Sequence, residues 1–106
     1  MRNNIIIGKM IGYIDKILSY TAGLDYASFE AAPLTVDACV FNMSQLGELT
    51  GKLDKDFTEN YPGIPWREMR GLRNRIVHDY EGVNLILVWE IISEDLPQLK
   101  EQLKRI

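Results

Sequence analysis

Apolar residues recur along most of the chain at steps of three and four, the spacing that lays one stripe along one face of an α-helix. From Asn4 to Thr21 the stripe is Ile7, Met10, Ile11, Ile14, Ile17 and Leu18. Gly8 and Gly12 weaken this first helix, so packing must hold it more than propensity does, and Gly23 ends it. Leu24 to Pro33 reads as an irregular connection. A second helix is expected from Leu34 to Lys52, with Thr35 as N-cap, Asp37 near its positive start, and Val36, Cys39, Met43, Leu46 and Leu53 along its apolar side.

Asp54 to Gly63 is rich in charge and turn residues and reads as a loop. Pro65 suits the first turn of a third helix running to about Tyr80, with Gly82 as its stop. Asn84 then caps a fourth helix carrying Leu85, Val88, Trp89, Ile92, Leu96, Leu99 and Leu103, which Pro97 should bend near Ser93. No segment alternates with period two for long. The expected fold is all-α, an antiparallel bundle of four main helices in a single domain spanning residues 1–106.

Composition narrows the classes. The 46% hydrophobic and 25% charged content is that of an ordinary globular chain. No apolar run approaches the ~20 residues that cross a bilayer, and the first residues lack a signal-peptide pattern, so a cytoplasmic protein without a membrane partner is expected. One cysteine, Cys39, and one histidine, His78, make neither an internal disulfide nor a zinc cage. Asp54, Asp56 and Glu59 follow no metal pattern, so no metal and no organic cofactor is expected. Cys39 lies in a core stripe and reads as packing rather than as a nucleophile. Trp66 and Trp89 could stack bases, although aromatics at helical spacing usually anchor a core.

Charge changes the picture of the third helix. The chain carries 12 basic and 15 acidic residues, a net −3. Residues 67–78 hold Arg67, Arg70, Arg73 and Arg75 against Glu68 alone, a local +3, which leaves eight basic and fourteen acidic residues, −6, elsewhere. A planar guanidinium makes two hydrogen bonds to one phosphate, so this segment suits a focused phosphate site rather than a long duplex. On a helical projection Met69, Leu72, Ile76 and Tyr80 form a core side. Arg67, Arg70, Gly71, Asn74 and His78 form the other. Gly71 there costs roughly 1 kcal/mol against alanine, and one reason to tolerate that is close approach by another backbone or a ligand. Exposed arginines are, equally, often just solvated or paired.

The string Arg73-Asn74-Arg75-Ile76-Val77-His78-Asp79-Tyr80 resembles the RNxxxHxY signature of HepT-like proteins in the HEPN superfamily. Ile64-Pro65-Trp66-Arg67-Glu68-Met69-Arg70-Gly71-Leu72 resembles the family's lead-in, and Glu81-Gly82-Val83-Asn84, Val88-Trp89 and Asp95 to Lys100 its following segment. Leu46-Gly47-Glu48-Leu49 is a looser match to the family's second helix. The resemblance implies an all-helical HEPN homodimer, a metal-independent endoribonuclease and toxin, paired with a minimal nucleotidyltransferase antitoxin in a complex that can assemble further. By position it implies Arg73 and His78 as the catalytic pair, Asn74 as their support, and Tyr80 as the tyrosine that the transferase adenylylates. Arg70, Arg67 and Arg75 are the further RNA-binding candidates, and tRNA is a candidate target.

The chemistry makes demands of its own. Metal-free RNA cleavage needs a base for the ribose 2′-hydroxyl, an acid for the leaving oxygen and a cation for the phosphoryl oxygens. One histidine per chain cannot be both base and acid, whereas two copies across a two-fold axis can. On a straight helix Arg73 projects about 140° from His78. Curvature and side-chain length, an arginine from the second copy, or a larger role for Arg70 would each resolve this. Two rivals stand beside the toxin reading: a noncatalytic HEPN module that binds a nucleotidyltransferase or nucleotide, and a structural helical dimer whose motif no longer acts.

Overall fold

The computed structural model describes residues 2–78 and 82–106, with His78 through its backbone. The expectation for Tyr80 lies outside the described residues. Helix α1 (Arg2–Thr21) packs along α3 (Pro33–Thr50) and against α8 (Leu96–Lys104). The reason is visible in the stripes. Met10, Ile14 and Ile17 of α1, Cys39, Met43 and Leu46 of α3, and Leu96, Leu99 and Leu103 of α8 are all buried in one core. Removing such apolar surface from water is the main favourable term in folding. The Lys100–Asp15 ion pair at 2.7 Å joins α8 to α1 at a half-exposed edge, where it adds little beside that core. The class is all-α. Among the described residues the extended structure amounts to one two-residue ladder.

Several boundaries differ from the sequence expectation. The stretch expected to be irregular holds a short helix, α2 (Tyr26–Glu30). Asp25 starts it with a reciprocal cap: its carboxylate accepts from the Ser28 N–H at 2.8 Å while the Ser28 hydroxyl accepts from the Asp25 N–H at 2.9 Å. The Ser28 N–H holds the Asp25 carboxyl below its ordinary pKa. The Phe29 ring of α2 is fully buried and meets Trp89 at 5.0 Å. Pro33 opens α3 rather than merely ending the connection, and the expected N-cap Thr35 lies inside the helix, behind Ala32. The Asp54–Gly63 loop contains a single turn, α4 (Lys55–Glu59), too short for periodicity to disclose.

The third expected helix is two. Helix α5 (Trp66–Arg70) and helix α6 (Leu72–Ile76) meet at an elbow on Gly71 (φ −89°, ψ 11°). Trp66 anchors the start of α5, its indole N–H donating to the carbonyls of Thr58 and Tyr61. Met69, Leu72 and Ile76 still share the buried side, so the core stripe survives the break. The run to Tyr80 does not. Val77 turns extended (φ −113°, ψ 122°), the Asn84 N–H donates to the Ile76 carbonyl at 2.8 Å, and β1 (Val77–His78) pairs antiparallel with β2 (Gly82–Val83). Gly82 is therefore no helix stop. It lies in the ladder at φ 76°, which a side chain would strain.

Asn84 does cap α7 (Leu85–Glu90), accepting from the Leu87 N–H at 3.1 Å. The bend expected from Pro97 takes the form of a wide π-helical turn, Ile91–Asp95, between α7 and α8. Proline has no N–H to offer the Ser93 carbonyl, and an inserted wide turn is one way a helix accommodates such a gap. The Ser93 hydroxyl donates to the Trp89 carbonyl at 2.7 Å within it.

Close backbone approach occurs at a different glycine from the one expected. A Cβ on Gly71 would meet only the Arg67 carbonyl oxygen, at an ordinary 3.7 Å. A Cβ on Gly47 in α3 would lie 2.8 Å from the Met69 carbonyl oxygen and 3.5 Å from the Leu72 Cβ. Gly47 is what lets α3 seat directly on the α5–α6 elbow. Gly47→Ala is expected to lose about 1–3 kcal/mol in chemical denaturation, because neighbouring backbone must move. Gly71→Ala is expected to change stability by less than about 1 kcal/mol, in the stabilising direction, since its backbone suits alanine.

Candidate functional site

The elbow sorts the arginines. Arg70 closes α5 and Arg73 and Asn74 sit on α6, and all three line one cleft of about 230 Å³. Its other wall is α3, through Ser44, Gly47 and Glu48. Because Gly47 carries no side chain, the two walls are as close as backbone and Cβ allow, and the long side chains flank the contact. Arg70, Arg73, Asn74 and Glu48 are exposed. Among the described residues no ion pair or side-chain hydrogen bond engages any of the four. The Ser44 hydroxyl is committed to the Val40 carbonyl at 3.0 Å.

Arg75 faces away from that cleft. It lines a larger groove of about 350 Å³ with Glu68, Asp95 and Gln102 on its rim and Leu46, Met69 and Leu72 on its floor. Arg67 is exposed and lines neither. The charge cluster that the sequence concentrates in twelve residues is thus divided by the fold. Two guanidiniums and an amide converge in one place, a third guanidinium serves a mixed-charge groove, and the fourth stands apart.

His78 also moves relative to expectation. Its backbone is in β1, two residues past the end of α6, paired with Gly82. The helical projection that aligned it with Arg67, Arg70 and Asn74 stops at Ile76. The same termination removes the objection that Arg73 and His78 project about 140° apart, because that angle assumed continuous helix. Arg73, not Arg70 alone, shares the cleft with Asn74.

Glu48 is the cleft residue that charge and periodicity did not single out. The available signal was its neighbour: a glycine in the middle of a long helix, which costs roughly 1 kcal/mol against alanine and so marks a close approach. Cys39 is excluded from chemistry on physical grounds. It is buried, and burial pushes its thiol up to about 11, leaving almost no thiolate near neutrality. Trp66 is buried, and Trp89 is half-buried against Phe29, so both act as anchors of the core. Among the described residues no helix is long and apolar enough to cross a membrane.

Comparison with known proteins gives the same direction over nearly the whole chain. The sequence profile of the family described as ribonuclease HepT-like matches residues 10–106. A provisionally named RNase of Methanocaldococcus jannaschii is 34% identical over 88 residues, which is 83% of this chain and 81% of the relative. A provisionally named RNase of Caldanaerobacter subterraneus subsp. tengcongensis is 32% identical over 90 residues, 85% of this chain and 80% of the relative. A protein of Thermococcus cleftensis, named probable ribonuclease HepT, is 30% identical over 93 residues, covering 88% and 84%. No solved structure gives a significant match.

The burial of Cys39 predicts its reactivity. In the folded protein at pH 8 a thiol reagent should label it slowly. Unfolding in denaturant should release one rapidly reacting thiol per chain, as read by absorbance or mass. Rapid labelling of the native protein would show that the core around α3 opens easily.

Proposed function

As this chain belongs to the ribonuclease HepT-like family, we propose that it is a metal-independent endoribonuclease, with Arg73 and His78 as its catalytic pair. The observation that carries the reading is the cleft in which Arg73, Arg70 and Asn74 converge without protein counter-ions among the described residues. Two free guanidiniums on one wall match the non-bridging oxygens of a single phosphodiester, and they stabilise the charge that builds there during transfer. Asn74, in the same cleft, supports the pair by donating its amide N–H to the bound phosphodiester. Arg67 and Arg75, outside it, supply longer-range attraction for the flanking strand.

The remaining chemistry falls to His78, whose pKa class suits proton transfer near neutrality. In a homodimer, one His78 takes the proton of the ribose 2′-hydroxyl. The resulting oxygen attacks phosphorus and forms the new P–O2′ bond. The P–O5′ bond breaks, and the second copy's His78 protonates the departing oxygen. The products are a 2′,3′-cyclic phosphate and a 5′-hydroxyl. One histidine per chain makes the second copy part of the reaction.

The biological setting in this reading is a toxin–antitoxin pair. A minimal nucleotidyltransferase would modify Tyr80 with an adenylyl group and silence the toxin. The added phosphate would sit two residues from His78 in sequence and compete for the arginines. RNA, with tRNA as a candidate, is the substrate class. A noncatalytic module that binds the transferase or a nucleotide is the reading that remains if turnover is absent.

With RNA and a chelator present, the wild type should cleave and leave cyclic phosphate ends. Arg73→Ala and His78→Ala should each lower the rate by about 10²–10⁴-fold. Full activity in His78→Ala would sink the mechanism, and no cleavage by wild type under any condition would favour the noncatalytic module. Incubation with the cognate transferase and ATP should add one adenylyl group at Tyr80, located by peptide mass spectrometry, and abolish cleavage. An active transferase that leaves Tyr80 unmodified would remove the antitoxin part of the reading.

A further inference from the structure

The wall of the cleft opposite the arginines carries an acid, and an acid in a phosphate site calls for an explanation. Glu48 repels the anion that Arg70 and Arg73 attract. It is not compensated by pairing with them, since among the described residues no ion pair within 4.0 Å involves it. Nor is it an incidental surface group. Gly47, its neighbour, fixes α3 against the Met69 carbonyl, so Glu48 is held across about 230 Å³ of space from Arg70, Arg73 and Asn74. A free carboxylate only accepts hydrogen bonds, and free guanidiniums only donate them. The ligand that satisfies both walls therefore presents phosphate oxygens on one side and a hydroxyl or amine donor on the other.

We infer that, while RNA binds, Glu48 accepts a hydrogen bond from the ribose 2′-hydroxyl of the nucleotide whose 3′-phosphate lies on Arg70 and Arg73, His78 taking over that hydrogen only when the reaction begins, so that Glu48 is a specificity residue for RNA over DNA. The 2′-hydroxyl adjoins the 3′-phosphate within one nucleotide, which is the separation a single small cleft can span. It is also the group that distinguishes RNA from DNA at a given site. The Ser44 hydroxyl cannot replace Glu48 as a strong partner, because its hydrogen is already given to Val40 and it carries no charge. A charge-assisted bond from the 2′-hydroxyl offsets the repulsion between Glu48 and the phosphate; with a deoxyribose only the repulsion is left. The inference rests on the RNA-cleft reading above, but it concerns which group recognises the sugar rather than which group moves protons.

The test measures binding separately from turnover. In a His78→Ala background, a short single-stranded RNA and its all-2′-deoxy counterpart are titrated with and without Glu48→Ala and Glu48→Gln, folding being checked by circular dichroism. Glu48→Ala is expected to tighten DNA binding, since an acid leaves the cleft. It should not tighten RNA binding equally, so the RNA-to-DNA preference falls by about ten-fold. Glu48→Gln, which keeps a neutral acceptor, should fall between. With His78 restored, Glu48→Ala should leave kcat for RNA little changed, because the contact is made in the bound complex and not in the proton transfer. If both affinities rise together and the preference is unchanged, Glu48 acts only as a charge and the inference is overturned. Absence of any RNA preference in the His78→Ala protein overturns it as well. Should the wild type cleave no RNA while the preference still depends on Glu48, the sugar contact stands and the ribonuclease reading falls. Cleavage by wild type with a Glu48-independent preference is the converse.

Discussion

The contact between Gly47 and the Met69 carbonyl is the constraint from which the site follows. A Cβ at Gly47 would lie 2.8 Å from that oxygen, a separation no side chain accepts without backbone movement. With hydrogen there instead, α3 lies directly on the α5–α6 elbow, and the buried Leu46, Met69 and Leu72 close the contact from the core side. The solvent side of the same contact is the cleft. Its depth is set by backbone, while its chemistry is set by the longer residues on either flank. Glu48 follows Gly47 directly, and Arg70 follows Met69, so this close backbone contact is one residue from the polar groups on both walls. Such support is what a recognition site needs, because exposed arginines and glutamates have many rotamers and are aimed only by the backbone beneath them.

A second constraint separates the arginines from the histidine of the proposed site. Helix α6 carries Arg73 and Asn74, but the chain leaves the helix at Val77, and His78 belongs to a short antiparallel ladder. In a helix successive side chains rotate by about 100°, so two residues five apart have a fixed angular relation. After a switch to extended backbone that relation is lost, and direction is set by the ladder and its partner strand instead. The Ile76 carbonyl, which accepts from the Asn84 N–H, helps to hold the switch because one of the carbonyls the helix leaves open is satisfied. The arginines and the histidine are thus carried by two kinds of element that meet at one joint.

Burial was legible where the stripe was long. Met10, Ile14 and Ile17, then Met69, Leu72 and Ile76, then Leu96, Leu99 and Leu103 lie inside, as their spacing indicates. Spacing does not show that a stripe is carried by two helices and an elbow, because a small break at Gly71 preserves which side faces the core. It also misses single turns. Helix α2 is announced by the Asp25–Ser28 cap rather than by periodicity, and α4 by little beyond the buried Thr58. Pro97 correctly marks an irregularity, although the accommodation is a wide turn inserted ahead of it.

The arginine cluster, the lone histidine, the helical class and the membership of the HepT-like family were all determined by the sequence, since each depends on residue identity and near-neighbour spacing. Only the tertiary structure decided that Arg70 and Arg73 share a cleft while Arg75 and Arg67 do not, that the close approach is at Gly47 rather than Gly71, and that Glu48 faces the arginines. The physical reason is range. Periodicity reports the side of an element that avoids water, whereas a cleft is made by two segments more than twenty residues apart, at a separation set by the smallest residue between them.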